Sequence, residues 1–124
     1  MIRGVGIDVV EVGRVGRALE RHGERFVRRV FRPSEVGSPV SPRSLAARFA
    51  AKEAVFKALG TGLSGGLRWT DVEVVARAGG APGLRLHGRA REAALALGVT
   101  RTHLSLTHDG GVAAAVVILE GDEP

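Results

Sequence analysis

The sequence predicts an α+β fold: one mostly antiparallel sheet with helices packed on it. Three observations carry this. Residues 2 to 12, IRGVGIDVVEV, alternate and are rich in Val and Ile, as a strand requires. Residues 43 to 59 are the strongest helical stretch in the chain. Two later strand pairs, 70–77 with 83–87 and 102–107 with 112–119, are joined by the glycine-bearing turns AGGAPG and HDGG. The 124 residues are read as one domain, 1–124, long enough for a core without disulfide staples.

In the first strand, Val5, Ile7 and Val9 share one face, and Gly6, Asp8 and Val10 share the other. An acid inside such a strand needs a partner or a task. Residues 13 to 31 predict a helix with Val15, Leu19, Phe26 and Val30 on its apolar side and a possible interruption at Gly23. RPSEVGSPVSP, 32 to 42, is a Pro/Ser loop. Ser41-Pro42 suits a helix entry, and Gly60 suits a left-handed exit. TGLSGG is a loop, and residues 88 to 97 predict a short amphipathic helix ended by Gly98.

Composition excludes some functions. Cysteine is absent, which removes disulfides and thiolate zinc sites and fits a reducing cytoplasm. MIRGVGIDVVEV is no signal peptide, because Asp8 and Glu11 break its apolar run. The longest apolar stretch, VAAAVVIL, is strand-sized, so no membrane span is expected. A net charge of +5 favours acidic partners. With one Trp, four Phe and no Tyr, there is little to stack bases on, and no duplex-reading motif is present, so nucleic acid is not the expected partner.

Both lysines of the chain, Lys52 and Lys57, lie in RFAAKEAVFKALGTG, although every other strong base is Arg. Phe49, Glu53, Phe56 and Lys57 follow helical spacing, and Glu53 and Lys57 share a face at i,i+4. They read either as an exposed ion pair or as an acid and a cation aimed at a metal-bound phosphate. The glycine-rich GTGLSGG favours the second, since glycines let backbone N–H groups approach phosphate. It is not a Walker A loop: it follows a helix and lacks GK[ST]. Asp8 reads as a backbone cap or a ligand, and His103 and His108 as solvated or catalytic. Arg14, Arg17, Arg21, Arg25, Arg28 and Arg32 recur every three or four residues, a solvated face or a docking stripe.

Three separated segments, GVGIDVVEVGRV, RFAAKEAVFKALGTG and HLSLTHDGGVAAAVVILE, resemble in order and distance the holo-acyl-carrier-protein synthases. These are the short, single-domain class of 4′-phosphopantetheinyl transferases, and the resemblance covers nearly the whole chain. It implies the phosphopantetheinyl transferase-like fold. It also implies transfer of 4′-phosphopantetheine from coenzyme A to a serine of apo acyl carrier protein, with Mg²⁺ (Mn²⁺ as a substitute) and release of adenosine 3′,5′-bisphosphate. Carried over by position, Asp8 and Glu53 are the metal-binding acids, and Asp8, Glu53 and Lys57 the catalytic set. Arg48, with Phe49 beside it, is placed toward a coenzyme A phosphate, and Lys57 and His108 toward the pyrophosphate. Gly60, Thr61 and Gly62 form the loop beside the nucleotide. Whether Glu53 or a metal-ordered water takes the serine proton stays open.

The resemblance implies a cytoplasmic homotrimer with sites between subunits. It assigns carrier docking to Arg14, Arg21, Arg25 and Arg29. Ala81 stands where relatives often carry a basic residue before the proline, and HDGGV lacks their common aromatic. Two other readings use the same residues. A non-catalytic basic module for RNA or an acidic protein would need the arginines but not the acids. A metal-dependent pyrophosphatase acting on coenzyme A or a nucleotide would need the acids but no protein acceptor. Docking by arginines gives a direct expectation: the Michaelis constant for an acidic carrier rises with added salt. A value flat from low to high ionic strength contradicts it.

Overall fold

The computed structural model describes residues 1–123. The chain runs β1 (Ile2–Glu11), α1 (Val12–His22), α2 (Glu24–Val30), α3 (Pro42–Leu59), β2 (Val72–Val75), β3 (Gly83–Leu86), α4 (Gly88–Ala96), β4 (Arg101–Asp109) and β5 (Val112–Glu120). Short 3₁₀ turns occupy Pro33–Glu35 and Trp69–Asp71. The expected antiparallel strands form two sheets rather than one: β1-β5-β4, and a separate pair β2-β3. The expected helix over 13–31 is two helices, broken at Gly23 (φ 51°, ψ −127°), a conformation open to glycine.

Helix α3 is the hub. Leu45, Ala46, Ala50, Ala51, Ala54, Val55, Phe56 and Leu59 along it are all buried. Ser41 caps its start, accepting from the Ser44 N–H at 3.3 Å, and Pro42 sits in its first turn. Gly60, left-handed at φ 77°, ends it. Strand β1 lies on the helix with almost no gap. A Cβ at Gly4 would collide with the Ala58 carbonyl oxygen, and one at Gly6 with that of Ala54. Glycine on the strand and alanine on the helix together permit this backbone-to-backbone approach.

Strand alternation then sorts the sheet. Gly6, Asp8 and Val10 face α3, together with Ala113, Ala115, Val117 and Leu119 of β5. Val5, Ile7 and Val9 face outward, each about 60% exposed, beside Ala114, Val116 and Ile118. The outer face of β1 and β5 is thus an apolar surface, and β4 edges it with the exposed polar side chains His103, Ser105 and Thr107.

Lys52 is the largest fully buried side chain. Its ammonium donates to Glu35 Oε1 at 2.8 Å, to the Trp69 carbonyl at 3.1 Å and to the Val72 carbonyl. All three N–H bonds of the ammonium are used. Glu35 also accepts from the backbone N–H groups of Arg32 (2.8 Å) and Val74 (2.9 Å). Burial pulls Lys52 below the ordinary lysine range, and Glu35 opposes that shift. The pair ties both 3₁₀ turns and β2 to α3. A planar guanidinium cannot direct three donors from one compact centre, which is why lysine stands here. Removing one partner strands the other charge in the core. Lys52→Met is therefore expected to destabilise the fold by about 3–5 kcal/mol, read from urea unfolding. A midpoint equal to wild type contradicts it.

Candidate active site

Asp8 lies two residues beyond Gly6 on the same face of β1, so the strand delivers its carboxylate to α3. There it meets Lys57, whose Nζ donates to Asp8 Oδ1 at 2.9 Å and to the Ile7 carbonyl at 3.1 Å. Glu53, one turn before Lys57, is half-buried beside them. Of the two readings of Glu53 and Lys57, the plain i,i+4 ion pair is not formed, and Lys57 pairs with Asp8 instead. The strand acid offers the closer, more buried partner.

Asp8 is 9% exposed, and its Oδ2 is buried with no hydrogen-bond partner. Burial pushes the Glu53 carboxyl above its ordinary range, the Asp8 carboxylate adds to this, and Arg14 and Lys57 oppose it. The hydrogen bond to Asp8 holds Lys57 above the ordinary lysine range, so the ammonium stays charged at neutral pH. Among the described residues no group of three or more His, Asp or Glu side chains converges. Two adjacent carboxylates, one with an orphaned oxygen, nonetheless suit Mg²⁺. That ion accepts one or two carboxylates and keeps its remaining positions for water and phosphate.

A cavity of 160 Å³ opens off Glu53 and Lys57, lined also by Phe56, Gly62, Leu63 and Trp69. The loop after α3 forms one wall. Gly60 and Gly62 adopt positive φ, Thr61 Oγ1 donates to the Gly62 carbonyl at 3.1 Å, and Ser64 Oγ donates to the Thr61 carbonyl at 2.6 Å.

The other expected residues fall elsewhere. Arg48 donates to the Ser44 carbonyl at 3.2 Å and to its hydroxyl, and its buried Nε has no partner. Phe49 is buried and stacks on Trp69 at 4.8 Å between ring centroids. His108, near the end of β4, lines a separate cavity with Arg43 and Val12. One subunit does not bring it into the pocket of Glu53 and Lys57. Arg14, Arg21, Arg25 and Arg29 are exposed, but the break at Gly23 divides their stripe. Arg32 leaves it altogether, donating through Nε to the Thr70 carbonyl at 2.7 Å. Sequence reasoning missed Trp69 as a pocket wall and Glu35 as the partner of Lys52. The only available signal for Trp69 was that the chain's single tryptophan follows the glycine-rich loop.

Residues 4–117 match the model of the 4′-phosphopantetheinyl transferase superfamily, and the chain belongs to that superfamily. The curated relatives narrow this. The chain is 53% identical to a holo-acyl-carrier-protein synthase of Nitratidesulfovibrio vulgaris, over 97% of this chain and 99% of the relative. It is 52% identical to that of Clavibacter michiganensis, over the whole of both. The solved Helicobacter pylori holo-acyl-carrier-protein synthase in complex with coenzyme A superposes with a TM-score of 0.84. That match has 31% identity and covers 94% of this chain and 99% of that one. The fold and the whole-length identity make this chain an enzyme of the holo-acyl-carrier-protein synthase class, a transferase that uses coenzyme A and acyl carrier protein.

The raised Glu53 carboxyl has a sign that can be checked. A folded-state pKa above the unfolded one means the native state holds the proton more tightly. Stability therefore falls as pH rises through the Glu53 titration. In metal-free protein at pH 7–8, Glu53→Gln is expected to raise Tm, and at pH 4 to leave it unchanged. A variant less stable than wild type at neutral pH contradicts the account that burial and the Asp8 carboxylate disfavour the Glu53 charge.

Proposed function

We propose that this chain transfers 4′-phosphopantetheine from coenzyme A to a serine of apo acyl carrier protein, in a Mg²⁺-dependent reaction that releases adenosine 3′,5′-bisphosphate. The observation that carries this is the buried Asp8 carboxylate, whose Oδ2 has no hydrogen-bond partner, near enough to Glu53 to raise its carboxyl and with the Lys57 ammonium held against its Oδ1. Asp8 and Glu53 would hold the cation, with Mn²⁺ an acceptable substitute by its preference for oxygen ligands. When bound, the ion neutralises charge on the pyrophosphate and polarises the phosphorus under attack.

The protein's own groups do the rest. Lys57 is exposed on its outer side, so its ammonium can contact a phosphate oxygen while anchored to Asp8. A compact ammonium with three donors serves both, where a fixed guanidinium fork would not. It offsets negative charge on the departing bisphosphate. Glu53, which lines this pocket, or a water ordered by the bound ion would take the proton of the serine hydroxyl. In the Gly60–Gly62 loop the Gly60 and Thr61 N–H groups are spent on the Lys57 and Phe56 carbonyls, which leaves the Gly62 N–H as the backbone donor for a phosphate beside the same pocket. Positioning and charge neutralisation account for most of the rate in such a transfer.

Arg48 is read as a contact to a coenzyme A phosphate, to which its half-buried guanidinium would donate. His108 and Arg43 share a cavity separate from that of Glu53 and Lys57, and they would serve the site of a neighbouring subunit. The apolar outer row of Val5, Ile7 and Val9 supports the assembly this requires, a homotrimer with sites between subunits. Arg14, Arg21, Arg25 and Arg29 present positive charge for an acidic carrier. Among the described residues no helix is long and apolar enough to cross a membrane, and a cytoplasmic location is the reading adopted.

The test is intact mass spectrometry of apo acyl carrier protein incubated with the enzyme, coenzyme A and Mg²⁺. The carrier is expected to gain one phosphopantetheine, and EDTA to abolish the gain. Asp8→Ala and Glu53→Ala are each expected to lower the rate by at least about a hundredfold while folding normally. Near-normal rates in either would remove that residue from the site. Hydrolysis of coenzyme A with no gain on any carrier would replace the transferase reading with a pyrophosphatase one.

A further inference from the structure

Within one subunit the cavity beside Glu53 spans 160 Å³, against roughly 300–1,000 Å³ for sites that enclose a whole cofactor. It must hold one segment of the substrate. Its two ends differ chemically. Glu53 and Lys57 form one wall, where phosphate would lie; Phe56, Leu63 and Trp69 form the other, which is apolar. Leu63 is 47% exposed on the loop and turned to this cavity, an apolar side chain without an apolar cover. Trp69 is half-buried and held rigidly. Its ring stacks on Phe49 at 4.8 Å and meets Phe56 edge-on at 5.5 Å, and its carbonyl accepts from the buried Lys52.

Given the transferase reading above, on which this rests, the group beside the reacting phosphate is fixed by its chemistry. On one side of that phosphate lies a second phosphate and the nucleotide, both polar and charged. On the other lies the pantoyl unit, a methylene followed by a carbon bearing two methyl groups. We infer that the slot formed by Trp69, Phe56 and Leu63 receives this dimethyl segment, and so orients the phosphate that is transferred. Charge decides the polarity: the apolar wall cannot take a phosphate, and the Lys57 wall does not suit the methyl groups. Trp69 and Leu63 are specificity-determining residues for the arm, not for the nucleotide.

Trp69 is the only tryptophan of the chain, so its fluorescence reports this slot alone. With excitation at 295 nm and Mg²⁺ present, coenzyme A is expected to change Trp69 emission. Adenosine 3′,5′-bisphosphate, which lacks the arm, is expected to bind without that change. Leu63→Ser, at an exposed position that should not disturb folding, is expected to raise the Michaelis constant for coenzyme A about tenfold. Its dissociation constant for the bisphosphate should match wild type. Equal emission changes for both ligands, a silent Trp69 with coenzyme A, or an unaltered Michaelis constant in Leu63→Ser would overturn the slot. Carrier mass is followed in the same preparation. Transfer with a silent Trp69 refutes only the slot, whereas no transfer at all refutes the functional reading beneath it.

Discussion

The site depends on the distance between one strand and one helix. β1 rests on α3 with backbone against backbone, because Gly4 and Gly6 present no side chain to the carbonyls of Ala58 and Ala54. Glycine weakens a strand, by roughly 0.5–1 kcal/mol relative to alanine. That cost is offset here by what the approach delivers. Asp8 follows on the same face of the strand and arrives within 2.9 Å of Lys57. With a methyl group at residue 6 the strand would have to lift, and Asp8 would leave Lys57 and Glu53 together.

The two lysines divide the work of stability and chemistry. They lie five residues apart on one helix in opposite environments. Lys52 is wholly enclosed, its three donors spent on Glu35 and two carbonyls. It pins the turn that carries Trp69, and hence one wall of the cavity beside Glu53 and Lys57. Lys57 is half-open, with one side on Asp8 and the other free for a phosphate oxygen. The buried pair sets the shape of the site, and the exposed ammonium supplies its charge. Burial, and after it the neighbouring Asp8 carboxylate, raises the Glu53 carboxyl, so the metal-free site carries a cost that a divalent cation would relieve.

The sequence carried much of this in local signals. Alternation in residues 2–12 gave β1 and its two faces, and Ser41-Pro42 and Gly60 gave the ends of α3 to within a residue. The pairing of β4 with β5 across HDGG was equally readable. Partners distant along the chain were not. Nothing local says that Lys57 chooses Asp8, 49 residues away, over Glu53 on its own helix. Nor does it say that Glu35, in a stretch read as loop, closes on Lys52. Gly23 was flagged as a possible break, but whether a glycine interrupts a helix is decided by packing, and here it divides the arginine stripe. Nor does local alternation say which strands pair beyond each hairpin: β2 joins only β3, and its Val72 carbonyl is held by Lys52 of α3.

The most direct test of the strand–helix constraint is the carrier phosphopantetheinylation rate of Gly6→Ala, at a temperature where circular dichroism shows it folded. Gly16→Ala, whose added methyl meets nothing within 4 Å, is the control for a glycine substitution as such. The expected result is a fall of about a hundredfold or more in Gly6→Ala, as a displacement near 1 Å can produce, with Gly16→Ala close to wild type. A folded Gly6→Ala enzyme turning over at the wild-type rate would contradict the claim that this contact sets the geometry of the site.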